Sequence, residues 1–167
     1  GLDFLLTAAQ GLPCPLVLVG EGGQEAALKA RVAAEGLATV RFLGALPDED
    51  KEALLSLCYG LVVPSHLRFE AFGLSLLEAA RRGKPLICCE IATGTTYINI
   101  HGETGLVVPP ADPAALKEAM LTLWENPGLA ARLGEGARRR FETHFTVEKM
   151  VRNYLDLYGE LKARRRY

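Results

Sequence analysis

Pro64-Ser65-His66-Leu67-Arg68-Phe69-Glu70-Ala71-Phe72-Gly73-Leu74-Ser75-Leu76-Leu77-Glu78-Ala79-Ala80-Arg81-Arg82 is the stretch on which the fold turns. The apolar run Leu61 to Val63 before it is too short and too β-branched for a helix and reads as a buried strand ending at Pro64. After it come a loop holding Glu70 and a helix holding Glu78. Strand, loop and helix N-terminus together form an anion-binding arrangement, because the first turn of a helix has unpaired N–H groups and the positive end of the macrodipole. Gly73 lacks a Cβ, so the backbone of Phe72, Gly73 and Leu74 can approach a ligand closely. Glu78 lies about one turn into the helix and leans back toward its N-terminus. A carboxylate accepting two hydrogen bonds suits the vicinal hydroxyls of a ribose, and Glu70 could serve a second sugar in the same way. Phosphate between two sugars describes a nucleotide-sugar. The plainer alternative is that Glu78 pairs with Arg81 or Arg82 on a solvated helix face, worth about 0.2–0.5 kcal/mol.

The order Pro-Ser, Glu, Phe-Gly-Leu, Glu-Ala resembles the signature of the family-four, or group 1, glycosyltransferases. That resemblance implies two Rossmann-like domains facing a cleft, the GT-B fold, with the nucleotide-sugar held mainly by the C-terminal domain. It implies that Glu70 contacts the transferred sugar as the catalytic-site carboxylate and that Glu78 holds the ribose.

The chain has 167 residues, 49% of them hydrophobic and 23% charged, which fits one globular domain with a real core. A formal net charge of −1 gives no global attraction to nucleic acid or acidic membranes, although Arg164, Arg165 and Arg166 make a locally basic tail. Cys14, Cys58, Cys88 and Cys89 lack metal-type spacing, and the adjacent pair lies on alternating strand faces. They read as reduced, buried small hydrophobes of a cytoplasmic protein. No stretch approaches the roughly 18 apolar residues of a membrane span and no signal-peptide pattern opens the chain. Peripheral contact of a parent protein with the inner face of the cell membrane stays compatible with this.

Residues Gly1 to Gln10 read as a helix stopped at Gly11-Leu12-Pro13. By resemblance this helix follows a strand and a loop whose Arg and Lys bind diphosphate. The expectation is therefore a fragment, residues 1–167, lacking an N-terminal acceptor domain and the first strand of its own domain. Pro15 to Gly20 is a buried strand running into Gly20-Glu21-Gly22-Gly23 and a helix from about Gln24 to Ala34. The turn lacks the third glycine of a dinucleotide fingerprint. Gly20 and Gly22 serve either as plain turn residues or as the nucleotide side of the cleft.

Thr39 to Gly44 is the next strand, and Pro47-Asp48-Glu49-Asp50 opens a helix to about Cys58. Asp48-x-Asp50 imitates a metal motif but is explained by acids after proline at a helix start, so no metal is assigned. The resemblance puts the nucleobase near Arg41 and Phe42; an edge-strand Arg and a core Phe account for them equally. Lys84 to Cys89 is a further strand, followed by a polar loop from Glu90 to Tyr97. The run Gly94-Thr95-Thr96-Tyr97-Ile98-Asn99 is similar to bacterial O-polysaccharide transferases that use GDP-sugars. The amides of Gly94 and Thr95 are its expected donor contacts, with a structural loop as the alternative. His66 and His101 have no visible partner and read as structural.

His101 to Gly105 turns into a strand at Leu106 to Val108. Helices follow from Asp112-Pro113, Asn126-Pro127 and Thr146, the last with an apolar stripe of Val147, Met150, Val151, Tyr154, Leu155, Tyr158 and Leu161. That stripe either packs on its own domain or, by resemblance, reaches toward the other one. Strands alternating with helices specify a Rossmann-like parallel α/β sheet flanked by helices, with a helical C-terminal section, one half of a GT-B fold. The implied activity is transfer of a hexosyl group from a nucleoside diphosphate sugar, GDP-mannose-like, to a glycan or lipid-linked acceptor, with retention and without a cofactor or metal. A non-catalytic nucleotide-binding module of the same fold is the runner-up. A nicotinamide enzyme is the third reading, and a glycosidase using Glu70 and Glu78 requires carboxyls about 5–5.5 Å apart.

Overall fold

A computed structural model describes residues 1–164; Arg165 and Arg166 of the basic tail lie outside them. The elements run α1 (Leu2–Ala9), β1 (Leu16–Val19), α2 (Glu25–Ala34), β2 (Val40–Gly44), α3 (Asp48–Leu57), β3 (Leu61–Val63) and α4 (Leu74–Arg81). They continue with β4 (Leu86–Cys89), α5 (Thr95–Ile98), β5 (Gly105–Val108), α6 (Pro113–Glu125), α7 (Pro127–His144) and α8 (Val147–Arg164). Every strand pairing is parallel, β1 with β2 and β3 with β4 with β5. The expected parallel α/β sheet is thus present, but its hydrogen bonding falls into a two-stranded and a three-stranded part.

Burial of β4 explains how the parts are held. All of Leu86–Cys89 is buried, as a central parallel strand covered on both faces must be. Ile87 and Cys89 face one core with Leu5 and Leu6 of α1 and Leu116 and Leu123 of α6. Val40 of β2 and Leu28 of α2 join that same cluster, so one apolar core spans both sets of strands. Leu86 and Cys88 face a second core with Leu76, Ala79 and Ala80 of α4, Ile98 of α5 and Ala137 of α7. Each fully buried Leu or Ile contributes about 1.5–3 kcal/mol.

The four cysteines are free, but only Cys88 and Cys89 are buried. Burial pushes the Cys88 thiol up from 9.0 to about 11, against a lowering hydrogen bond from Asn99. The unfolded chain therefore ionises first, and the stability that the neutral thiol supplies below pH 9 is lost as pH rises to about 11. Cys88→Ala is expected to remove about 2–3 kcal/mol of alkaline destabilisation over that interval. Urea unfolding of both chains at pH 8 and pH 10.5 measures it; parallel declines would count against this account.

Two local expectations change, and an alternative left open for α8 is resolved. The loop after β4 contains a helical turn, α5, because Ile98 and Asn99 donate their N–H groups to Gly94 and Thr95 carbonyls at 3.1 and 2.9 Å. Asn126 does not cap α7 with its side chain; its Nδ2 donates instead to Thr122 O at 2.8 Å. Asp112 does cap α6, accepting from Ala115 N at 3.0 Å. Finally, the stripe on α8 is exposed along its length, from Val147 at 66% to Leu161 at 48%, rather than packed on its own domain. No helix among the described residues is long and apolar enough to cross a membrane.

Candidate functional site

Parallel pairing brings the C-terminal ends of β3, β4 and β5 to one edge, and the loops 64–73 and 90–94 leave from it. That edge is where open α/β sheets carry ligands. Gly73 takes φ +89° and is the N-cap of α4, a left-handed position that an L side chain enters only with strain. A Cβ there would also meet the Leu76 side chain at 2.9 Å. No side chain caps α4; Leu76 N–H donates to Gly73 O at 2.9 Å, so the Leu74 and Ser75 amides of its first turn are left to a ligand or to water.

Glu70 sits half-buried at the end of the preceding loop and Glu78 is exposed one turn into α4. Arg81 and Arg82 pair with Glu52 of α3, not with Glu78. The plain helix-face pairing is therefore absent. Among the described residues neither Glu70 nor Glu78 has an ion pair, although Glu78 lines a cleft of about 220 Å³ with Asp48, Lys51, Glu52 and Leu55. Lys51 is the residue that motif reading passed over. Its ammonium is held above the usual lysine range, chiefly by the hydrogen bond to Asp48 at 2.6 Å and to a smaller degree by the nearby Glu78 charge. The charge is visible in the sequence, but the approach of α3 to α4 is tertiary.

Gly94 and Thr95 join the Glu70 to Leu74 segment in space. Gly94 N–H donates to Ala71 O at 2.9 Å, and a Cβ on Gly94 would collide with the Phe72 ring. The Gly94 amide is thus spent on holding the two loops together. Thr95 is buried, its methyl 3.4 Å from where a Gly73 Cβ would lie. Phe72 and Leu74 remain exposed, at 36% and 68%.

The nucleotide-side residues divide. Gly20, at φ +127°, donates to Gly44 O at 2.8 Å and closes the ends of β1 and β2. A Cβ on Gly20 or Gly22 would meet no atom within 4 Å, so this turn leaves open space. Arg41 and Phe42 point to opposite faces of β2, as consecutive strand residues must. Phe42 packs on the core with Lys29 over its ring at 5.7 Å. Arg41 folds back to Ala38 O at 2.6 Å and Val40 O at 3.2 Å, toward the start of the strand.

His66 and His101 both have structural partners. His66 packs edge-on against Phe4 at 5.0 Å, and His101 Nδ1 accepts from Val107 N at 3.1 Å along the β5 edge.

The domain is a parallel α/β domain with Glu70 before, and Glu78 within, a helix whose start no side chain caps, at the edge where its strands end. The family model for glycosyl transferases, group 1, matches residues 1–140, and the chain belongs to that family. It is 58% identical over 147 residues to the D-rhamnosyltransferase WbpZ of Pseudomonas aeruginosa, covering 88% of this chain and 39% of that protein. To the O-antigen chain mannosyltransferase C of Escherichia coli it is 50% identical over 161 residues, covering 96% and 43%. The chain therefore spans about two fifths of the curated relatives it matches. Among solved structures it resembles the sucrose-phosphate synthase of Thermosynechococcus elongatus, with a TM-score of 0.85, 32% identity, and coverage of 98% of this chain and 42% of that one. The fold is also that of the C-terminal domain of LpcC from Francisella tularensis, at a TM-score of 0.77 and 21% identity, covering 88% of this chain and 80% of that domain. The fold is one half of the GT-B architecture.

Proposed function

We propose that this chain is the donor-binding domain of a hexosyltransferase that moves a sugar from a nucleoside diphosphate to a glycan or lipid-linked acceptor with retention. The observation that carries the reading is the arrangement at α4: two carboxylates without ion pairs, one half-buried and one exposed, either side of a helix start that no side chain caps. The diphosphate lies against the Phe72 to Leu74 amides, Glu78 holds the ribose from the cleft it shares with Lys51, and Glu70 orients the transferred sugar. As the bond from the anomeric carbon to the diphosphate oxygen breaks, charge collects on the leaving phosphate, where preorganised amides stabilise it. The new bond forms to the oxygen of an acceptor hydroxyl, whose proton passes to the leaving diphosphate, and neither a metal nor a cofactor is needed. A GDP-mannose-like donor is favoured by the likeness to a mannosyltransferase and a rhamnosyltransferase. The acceptor would be brought by a second domain, and the exposed α8 stripe suits contact with it. Action at the inner face of the membrane, as a cytoplasmic protein in peripheral contact, fits a lipid-linked acceptor.

Titration of the chain with GDP, UDP and ADP, followed by amide shifts, tests the reading. One nucleotide is expected to move Gly73, Leu74 and Glu78 selectively. Glu78→Gln should weaken it about 10-fold or more, the value of one hydrogen bond to a charged group. No shift with any of the three would overturn a donor site formed by this chain.

A further inference from the structure

The C-terminal end of α7 reaches across to the two loops that form the site. Arg140 Nε donates to Tyr97 O at 3.1 Å and Ile98 O at 3.2 Å, and its Nη2 donates to Tyr97 O at 2.5 Å. The same guanidinium lies 5.3 Å over the Tyr97 ring and 5.8 Å over the Phe145 ring. Phe145 meets Tyr97 edge-on at 5.7 Å and Phe72 at 6.3 Å. Phe72 in turn lies where a Cβ on Gly94 would collide, and Gly94 N–H is bonded to Ala71 O. A continuous chain of contacts thus runs from α7 through α5 to the Phe72–Gly73 loop.

This arrangement answers a local need. α5 has four residues, far too short to be stable alone, and its last carbonyls lack helical partners. Cations favour a helix C-terminus, and an arginine presents several donors in one plane while stacking on an aromatic face. The carboxamide of buried Asn99 secures the next residue, donating to Leu106 O at 3.1 Å and accepting from Thr104 Oγ1 at 2.9 Å. Asn99 thereby ties the end of α5 to β5, while Arg140 and Phe145 supply the contacts that lead from α5 toward Phe72.

We propose that Arg140 and Phe145 are positioning residues of the donor site, holding Phe72–Gly73 and Gly94–Thr95 in the mutual placement that presents the first turn of α4 to a diphosphate. The assignment rests on the donor-site reading above. Phe145 lies beyond the matched family segment, and Arg140 is its last residue.

Arg140→Met, Arg140→Lys and Phe145→Leu separate this from plain packing when hydrogen exchange and nucleotide titration are read on the same chains. In Arg140→Met and Phe145→Leu, the amides of Gly94, Ile98 and Asn99 are expected to exchange about 10-fold faster or more while β1 and β2 amides keep their rates. The apparent Kd for the preferred nucleoside diphosphate should rise about 10-fold. Arg140→Lys, which keeps the charge but not the plane, should restore part of both effects. Unchanged exchange and Kd, or acceleration spread equally through β1 and β2, overturns the positioning role. Wild-type chain that binds no nucleoside diphosphate overturns the donor reading and the use of the clamp with it. Intact binding without the exchange contrast overturns the clamp alone.

Discussion

Glu70→Gln is expected to lower kcat for sugar transfer by the whole protein about 10- to 200-fold, with a much smaller change in donor affinity. A hydrogen bond to a charged group is worth about 1.5–3 kcal/mol, which is about 10- to 200-fold in rate if it is made fully only in the transition state. The amide in Gln keeps the size and one acceptor but removes the charge, so the loss reports on charge at the sugar rather than on shape. Half-burial of Glu70 raises the stake, because a carboxylate removed from bulk water interacts more strongly with a developing positive sugar. Glu78→Gln should show the opposite pattern, a raised donor KM with kcat nearly kept, since a ribose contact is the same in ground and transition states. The assay is initial-rate transfer from the nucleotide-sugar that the titration selects. Transfer by Glu70→Gln at the wild-type rate would remove Glu70 from the reacting sugar, and equal losses of kcat in both variants would erase the distinction between the two carboxylates.

Much of this was legible in the chain itself, for reasons that differ from one residue to the next. Leu86 to Cys89 announces a buried strand because a strand covered on both faces needs no polar alternation, whereas Leu61 to Val63 forms a strand buried only at Val63. Gly73 announces the loop-to-helix corner because only glycine enters that left-handed position without strain. Glu70 and Glu78 stand out by their placement around it. The sequence is silent where two segments distant in the chain must meet. The Arg81 and Arg82 partner on α3, the Lys51 approach to Glu78, and the Arg140 grip on α5 all depend on tertiary packing. Local polarity also misleads: Gly94 to Ile98 reads as loop by composition, yet it closes a helical turn because Arg140 and the Ala71 carbonyl satisfy the groups a free loop would leave to water. The long apolar stripe on α8 gives its period correctly and says nothing of what covers it.

Gly134→Ala is expected to destabilise the chain, against the usual sign for a glycine inside a helix. On propensity alone the change gains about 0.5–1 kcal/mol, because alanine loses less backbone entropy. Here the added Cβ would run into the Gly83 carbonyl, with the Gly83 carbonyl carbon at 3.0 Å and Pro85 Cδ at 3.3 Å. Backbone cannot swing aside as a long side chain can. Gly83 is itself fixed at φ +66° in the turn between α4 and β4, so α7 must move outward and loosen the first core at Leu133 and the second at Ala137. Overpacking of this kind costs about 1–3 kcal/mol, which exceeds the propensity gain. Gly136→Ala should behave alike, since its Cβ would meet the Glu103 carbonyl. Gly128 lies in the same helix with no atom within 4 Å of a built Cβ, so Gly128→Ala should be neutral or stabilising by up to about 1 kcal/mol. Thermal unfolding of the three variants decides it: for a chain of this size a 2 kcal/mol loss lowers Tm by about 4–8 °C. If Gly134→Ala and Gly128→Ala raise Tm together, the close approach of α7 to the α4–β4 turn is wrong; if only the former falls, that backbone contact is what sets the distance of α7 from the loops it holds.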